Sequence, residues 1–278
     1  LEFRRVLFRS KNRVVNVEME AATYHKVDAL SKSLMTKALK SPAHYRAAVD
    51  GSHEEPTKAM QIGTVTHTAI LEPHLLDSIV AVRPDGLSFV SKEGKQWKAD
   101  NADKIILDYQ EMADIRNMAD SVRRHPSFEV SHIDNKIEAS VFAEDEETGL
   151  PLKARPDLWA EGIGVILDIK TTDDASEEAF LRTILKFSYH VQAAHYIEMT
   201  GATDFVFIAV ERSAPYAVAA YRLSPEWLEL GFETRRRAIR IVHECTAMNS
   251  WPAYPTQTTT LGLPAWVARN QQQLNSKE

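Results

Sequence analysis

Apolar and polar positions change period several times along the chain, and each change predicts an element. In "VDALSKSLMTKALKSPAHYRAAVDG", residues 27–51, Leu34, Leu39 and Tyr45 fit a helical stripe. Asp28 or Ser31 can cap its start, and Pro42 marks a break or a second helix start. "MQIGTVTHTAILEP" predicts a helix over 63–72, stopped by Pro73. "LDSIVAVRP" predicts a short strand, and the polar stretch 86–100, with "KEGKQWKA", predicts a mobile loop. "ADKIILDYQEMADIRNMADSVRRHP" is the cleanest amphipathic pattern. Ile105, Ile106, Tyr109, Met112, Ile115, Met118 and Val122 recur at three-four spacing, predicting one helix that Pro126 ends.

The period then shortens to two. "KIEASVFAED" alternates as a half-buried strand should, "EETG" turns the chain, and "LPLKARPDLWAE" predicts the next strand. "GIG" turns it again into "VILDIKTT", a β-rich apolar run of the kind found in a central strand covered on both faces. "SEEAFLRTILKFSYHVQAAHYIEMTG" has helical spacing and a stop signal at Gly201. "TDFVFIAVE" and "YAVAAYRL" are further strands around "RSAP", and "SPEWLELGFETRRRAIRIVHECTAM" predicts a long helix opened by Ser-Pro. From Trp251 onward the chain carries three prolines and many threonines and glutamines, so 256–278 is expected to be loosely structured. No internal repeat is visible. This order of elements predicts an α/β domain with a central mixed sheet flanked by helices.

Composition narrows the class. The 278 residues are 44% hydrophobic and 26% charged, as in ordinary globular proteins. No apolar run reaches the ~18 residues of a membrane span, and no signal peptide is evident. A lone Cys245 excludes a disulfide framework and a four-cysteine metal site within the chain, so a cytoplasmic protein is expected. The first ten residues, "LEFRRVLFRS", lack an initiator methionine and read as a truncated or non-native leader. A net charge of -6 argues against nonspecific coating of nucleic acid, but an acidic metal site beside local basic clusters still fits a nuclease.

The candidate chemistry lies in "PDLWAEGIGVILDIK", residues 156–170. Strand alternation puts Asp168 and Lys170 on one face and Ile169 on the other. Asp157 lies on the preceding strand, and an antiparallel pairing through the turn can set it beside Asp168. Opposed Cβ atoms would then be about 4.5–5.5 Å apart, close enough for both carboxylates to hold one ion. Two like charges at that separation repel unless a cation lies between them, and hard oxygen ligands favour Mg²⁺ or Mn²⁺. A protonated Lys170 could orient an attacking water, or offset charge on a pentavalent phosphate, and an unprotonated one could deprotonate that water. By pattern alone, a surface hairpin with a cross-strand salt bridge is equally open. By pattern alone His67 in "GTVTHTAILEP" reads first as a structural helix residue and Glu138 in "KIEASVFA" as part of a solvated strand face, and helix surface polarity explains Gln192 with Tyr196 in "YHVQAAHY" equally well.

Together these segments resemble the PD-(D/E)xK nucleases, literally Pro156-Asp157 followed by Asp168-Ile169-Lys170. "GTVTHTAILEP" and "YHVQAAHY" are similar to the helical motifs of their RecB-like branch, and "LSKSLMTKALKSPAHY", "GLPLKARPDLW" and "FVFIAVERSAP" fit the order of RecE-like (exodeoxyribonuclease VIII) domains. The resemblance covers residues 24–255 as one domain with a restriction-endonuclease-like core. It implies that Asp157, Asp168, the Ile169 carbonyl and His67 bind a catalytic Mg²⁺, for which Mn²⁺ can substitute. It implies that Lys170 assists the water, that Glu138 lies near the metal or its waters, and that Gln192 and Tyr196 brace the site and contact DNA. Ser31, Lys32 and Ser33 would meet the terminal phosphate. The implied activity is 5′-to-3′ degradation of linear double-stranded DNA from its ends. It would leave 3′ single-stranded tails for a RecT-like annealing protein, and act from a tetrameric ring with no membrane partner. Basic runs at 92–98, 122–125 and 235–237 could face phosphate. The alternatives are a Cas4-like or restriction-like endonuclease, or a non-catalytic DNA-binding protein on the same fold; the single cysteine disfavours the iron–sulfur form of the first.

Overall fold

The computed structural model describes residues 13–16, 19–51, 56–132 and 135–264. The leader at 1–10 and the end of the tail, 265–278, lie outside the described residues. The chain opens with β1 (Val14–Asn16), α1 (Ala21–Lys26), α2 (Lys32–Lys40) and α3 (Pro42–Val49). Ser31 caps α2, its hydroxyl accepting from the Leu34 amide, and Pro42 is the first residue of α3. Next come α4 (Lys58–Leu71), α5 (Leu76–Ile79) and β2 (Val80–Val82). The α4 helix begins earlier than its apolar pattern suggests, because the Thr57 hydroxyl caps the Met60 amide at 3.3 Å. The strand expected over "LDSIVAVRP" shrinks to three residues, preceded by the helical turn of α5.

Two larger corrections follow. Residues 92–100, expected as a mobile loop, form α6 (Lys92–Asp100). Ser91 caps it at the Gly94 amide, and Trp97 stacks on Phe89, so one cap and one aromatic contact outweigh poor amphipathicity. The stripe beginning at Ile105 is two elements, β3 (Ile105–Leu107) and α7 (Tyr109–Arg123). Asp108 and Glu111 form a reciprocal capping box that starts the helix one turn late and frees the β-branched pair for a strand.

The remaining elements are β4 (Asn135–Ile137), β5 (Ser140–Glu144), β6 (Pro151–Ala154), β7 (Leu158–Ala160) and β8 (Val165–Thr172). They are followed by α8 (Glu177–Phe187), α9 (Tyr189–Thr200), β9 (Asp204–Glu211), β10 (Val218–Arg222) and α10 (Pro225–Met248). Ser188, at φ 54°, breaks the expected single helix into α8 and α9. The main sheet has the order β10-β9-β8-β7-β4, with β8 and β9 parallel and the other pairs antiparallel. A second sheet has the order β1-β5-β6, and β2 pairs with β3 in parallel. No helix among the described residues is long and apolar enough to cross a membrane.

The sheet's strands alternate between two cores. Ile166, Trp159, Phe205 and Phe207 face α8, α9 and α10, while Leu158, Leu167, Ile169 and Ile208 face α4 and α7. By the same alternation Asp168 and Lys170 lie on the α9 side. The strands expected over 136–145 and 150–161 each divide between the two sheets, yet their pairing keeps one register through the break. Ile137 faces Leu158 in one sheet and Val141 faces Ala154 in the other. The break falls at Glu138, whose φ is 48°, and at Arg155–Pro156 on the partner strand. Both strands therefore leave the main sheet at the same level, and β8 continues alone beside the gap.

Helix α9 is pinned closely to α10 at Gly231. A Cβ there would lie 2.3 Å from the His190 carbonyl oxygen and 3.0 Å from the Ala194 Cβ. We expect Gly231→Ala to push the helices apart and destabilise the fold by about 1–3 kcal/mol, as overpacking does. The midpoint of chemical denaturation measures it, and an unchanged midpoint would contradict this packing.

Candidate active site

The site occupies the gap where β7 leaves β8. Leu158 pairs with Leu167, so Asp157 faces Asp168 one step further on. Pro156 has no N–H to continue a ladder, and the Asp157 side chain takes over the next position. Its Oδ2 accepts from the Ile169 amide at 2.7 Å. A strand residue sends its N–H and C=O to the same side, so the Ile169 carbonyl points into the same gap. Glu138, opposite Asp157 on the other flank, donates its amide to the Asp157 carbonyl at 3.0 Å. Glu138, Asp157 and Asp168 thus form a row across three neighbouring strands.

Each carboxylate has a different partner. Glu138 accepts from Arg155 Nε at 2.8 Å, and Arg155 is itself anchored to Ser140 Oγ and the Met19 carbonyl. Asp157 Oδ2 lies 3.3 Å from Nδ1 of His67, which α4 delivers from the opposite core. Asp168 is fully buried; Gln192 Nε2 donates to its Oδ1 at 2.6 Å, and Lys170 forms an ion pair with its Oδ2. Lys170 in turn lies over the Tyr189 ring, 4.8 Å from its centre.

Burial pushes Glu138 up to about 7 and Asp168 up to about 6, in both cases helped by the charge of Asp157. For Asp157 burial works upward too, but His67 and Lys170 outweigh it and hold the group below its ordinary value. Burial opposes the charge on His67 and on Lys170, yet Asp157 raises the first and Asp168 raises the second.

Oxygen and imidazole donors that converge in this way suit a hard or borderline divalent cation. His67, Glu138 and Asp157 each offer one ligand atom within 4.8 Å of the others. Asp168 Oδ2 is buried, and its partner is the Lys170 ammonium. The residues present therefore fit a divalent cation, with Glu138 closer to the ligand set than its strand pattern indicates and Asp168 tied to Lys170 and Gln192.

The other expected residues lie around this centre. Tyr196 sits one turn beyond Gln192 and is raised well above its ordinary value, by burial first and then by Tyr24 and the three carboxylates. Lys32 reaches the Phe187 carbonyl at 2.6 Å and lies over the Tyr189 ring; burial, then the like charge of Lys170, lowers it to about 8. Ser31 and Ser33 stand together at the start of α2, their hydroxyls 2.9 Å apart. Two contributors escape sequence reasoning. Arg155 sits inside the motif itself, in "KARPD", and Tyr189 falls within what the sequence reads as one unbroken helix.

The basic run at 235–237 needs correction as a phosphate-facing patch at two of its three arginines; Arg237 is exposed. Arg235 is 2% exposed, bonded to His195 and paired with Glu198, and Arg236 is bound by Asp145. In the 122–125 run Arg123 turns inward to the Ala69 carbonyl at the end of α4.

The profile of a PDDEXK-like domain of unknown function (DUF3799) matches residues 31–261. Among solved structures, the chain is similar to a candidate exonuclease from Eubacterium rectale. The two share 13% identity over 91% of this chain and 98% of that one, with a TM-score of 0.61, which is a likeness of fold. A phage-related exonuclease from Haemophilus somnus overlaps more loosely, at 11% identity, 80% and 96% coverage and a TM-score of 0.35. No curated protein sequence matches.

Proton and cation compete for this site. Glu138 and Asp168 hold protons more tightly folded than unfolded, so the metal-free fold loses stability as pH rises from about 4 through about 7. The stabilising charge of His67 is lost in the same direction. We expect the metal-free thermal midpoint to fall over that window, and Mn²⁺ to raise it more at about pH 8 than at about pH 5. Calorimetry in two buffers of different ionisation enthalpy should detect proton release on Mn²⁺ binding near about pH 6. Binding without proton release at that pH would contradict the assignment.

Proposed function

Because this chain belongs to the PDDEXK-like domain family DUF3799, whose fold has a restriction-endonuclease-like core, we propose that it is a metal-dependent exodeoxyribonuclease acting on the ends of linear duplex DNA. The observation that carries the reading is the row of half-buried Glu138 and buried Asp157 and Asp168 with Lys170 beside it, opened to one side by the divergence of two sheets. Asp157, Glu138 and His67 would hold the cation, Mg²⁺ with Mn²⁺ as a substitute, and the Ile169 carbonyl oxygen can add a fourth ligand. When bound, it supplies Lewis-acid polarisation of the phosphate and offsets the charge that builds there.

The chain's own groups have separable tasks. Asp168 keeps Lys170 protonated, so Lys170 donates to the attacking water or to the phosphate and does not take a proton from it. Gln192 fixes the Asp168 carboxylate from α9. His67 locks the orientation of Asp157. Lys32, half-buried beside Lys170, would meet the terminal phosphate, together with Ser31 and Ser33 at the same helix start. The resemblance to RecE-like enzymes supports 5′-to-3′ polarity, 3′-tailed products passed to a RecT-like annealing protein, and a tetrameric ring.

Asp168→Asn and Lys170→Ala should each lower the cleavage rate of linear duplex by about 10²-fold or more. Asp168→Asn replaces a costly buried charge and should keep or raise the thermal midpoint. Lys170→Ala strands Asp168 and should lower it. The decisive comparison uses linear and covalently closed circular duplex with Mg²⁺ or Mn²⁺. Digestion confined to the linear form, faster from 5′-phosphorylated ends, is expected. Cutting of closed circles would replace the exonuclease reading with an endonuclease one, and near-full activity of Lys170→Ala would overturn the assigned roles.

A further inference from the structure

Beside the carboxylate row an aromatic stack runs from the core to the surface, and the chemistry above does not use its outer end. Phe207 is fully buried on β9. Tyr189 stacks on it, ring centres 5.5 Å apart, and Phe187 stacks on Tyr189 at 5.7 Å. Phe187 is nonetheless 47% exposed, so its outer face is open at the end of the stack. Ser188 holds the two rings together. Its left-handed backbone, φ 54° and ψ 46°, ends α8 and starts α9, so the aromatics on either side are brought face to face across the joint.

Three lysines surround the stack. Lys170 lies over Tyr189 at 4.8 Å, Lys32 lies over the same ring at 5.5 Å and binds the Phe187 carbonyl, and Lys186 lies over Phe187 at 5.2 Å. An exposed aromatic ring with one cation over it and two more at the ring beneath is the combination that binds an exposed base together with its phosphates. Leu181 and Leu185, also exposed on α8, project from a different side of the helix, so Phe187 is not one edge of their apolar strip. A duplex end is the place where a base presents a free face, since every interior base is covered by its neighbours.

We propose that Phe187 is a stacking platform for the terminal base of the strand being cut, with Lys186 swinging from the ring to the adjacent phosphate. This rests on the nuclease reading and adds a positioning residue to it. The stack sets the end nucleotide one ring away from Lys170, and therefore sets which phosphate meets the site.

The test is a coupling cycle between Phe187→Ala and a duplex whose end nucleotide on the cut strand is abasic. Binding is measured by fluorescence anisotropy with metal chelated, and KM and kcat are measured with Mg²⁺. Phe187→Ala should weaken binding of intact duplex and raise KM by roughly 5- to 150-fold, the range of one base stack, with a smaller change in kcat. The abasic end should weaken the wild-type protein by a similar factor and Phe187→Ala by little more, while Phe187→Trp restores the intact-duplex value. Independent, multiplying losses would overturn the proposal. So would an unchanged Phe187→Ala, or equal losses on both duplexes with a changed oligomeric state, which would make Phe187 a contact between copies of the chain. In those cases wild-type cleavage still stands and the nuclease reading survives. End binding with the predicted coupling but no cleavage would sink the nuclease reading alone, and absence of both binding and cleavage would sink both.

Discussion

Two carboxylates held a strand's width apart, away from water, are the constraint to which the rest of the structure answers. Asp157 and Asp168 face one another across the last step of the β7–β8 pairing. Each raises the cost of charge on the other, and desolvation adds to both. Such a pair is tolerable only if every nearby element contributes a compensating group. The fold supplies His67 from α4, Lys170 from β8 itself, Gln192 from α9 and, one strand over, Arg155 for Glu138. These groups reach the gap from both faces of the sheet. Neither core could have closed the site alone.

The gap itself is a consequence of strand geometry. A continuous ladder from 135 to 160 would fill the space beside β8 with backbone and leave no room for a ligand. The positive φ of Glu138 and the proline at 156 end the pairing on both strands at one level, while the register is preserved across the break. The backbone donor exposed by that divergence, the Ile169 amide, is satisfied by the Asp157 side chain. One hydrogen bond thus completes the sheet and fixes a carboxylate. The left-handed backbone of Glu138 and Pro156 on the partner strand together keep that gap open.

How much of this could be read from the chain divides along physical lines. Strand alternation placed Asp168 and Lys170 on one face, and the short turn at Gly164 placed Asp157 opposite, because period and turn chemistry are local properties. The β8 strand and the α10 helix were legible for the same reason. The division of 136–145 and 150–161 between two sheets was not, since alternation continues through a strand that changes partners. α6 was missed because its stability comes from the Ser91 cap and the Phe89–Trp97 contact, not from an apolar stripe. The arrival of His67 and Arg155 at neighbouring acids is a property of packing. No spacing along the chain announces it.

Charge is the clearest case of that limit. A net charge of -6 and three basic runs give no hint of where cations are available. Arg235 and Arg236 in the densest run are consumed by Glu198 and Asp145, bracing α10 against α9 and the β5–β6 turn. The two lysines around the Tyr189 ring, by contrast, come from separate segments, Lys32 on α2 and Lys170 on β8, and neither belongs to a basic run. Lys32 and Lys170 thus put positive charge at the mouth of the carboxylate row, while two of the three arginines at 235–237 are spent inside the protein. On the nuclease reading, that arrangement lets an acidic protein avoid nonspecific binding along a duplex and still hold a phosphate where the reactive groups converge.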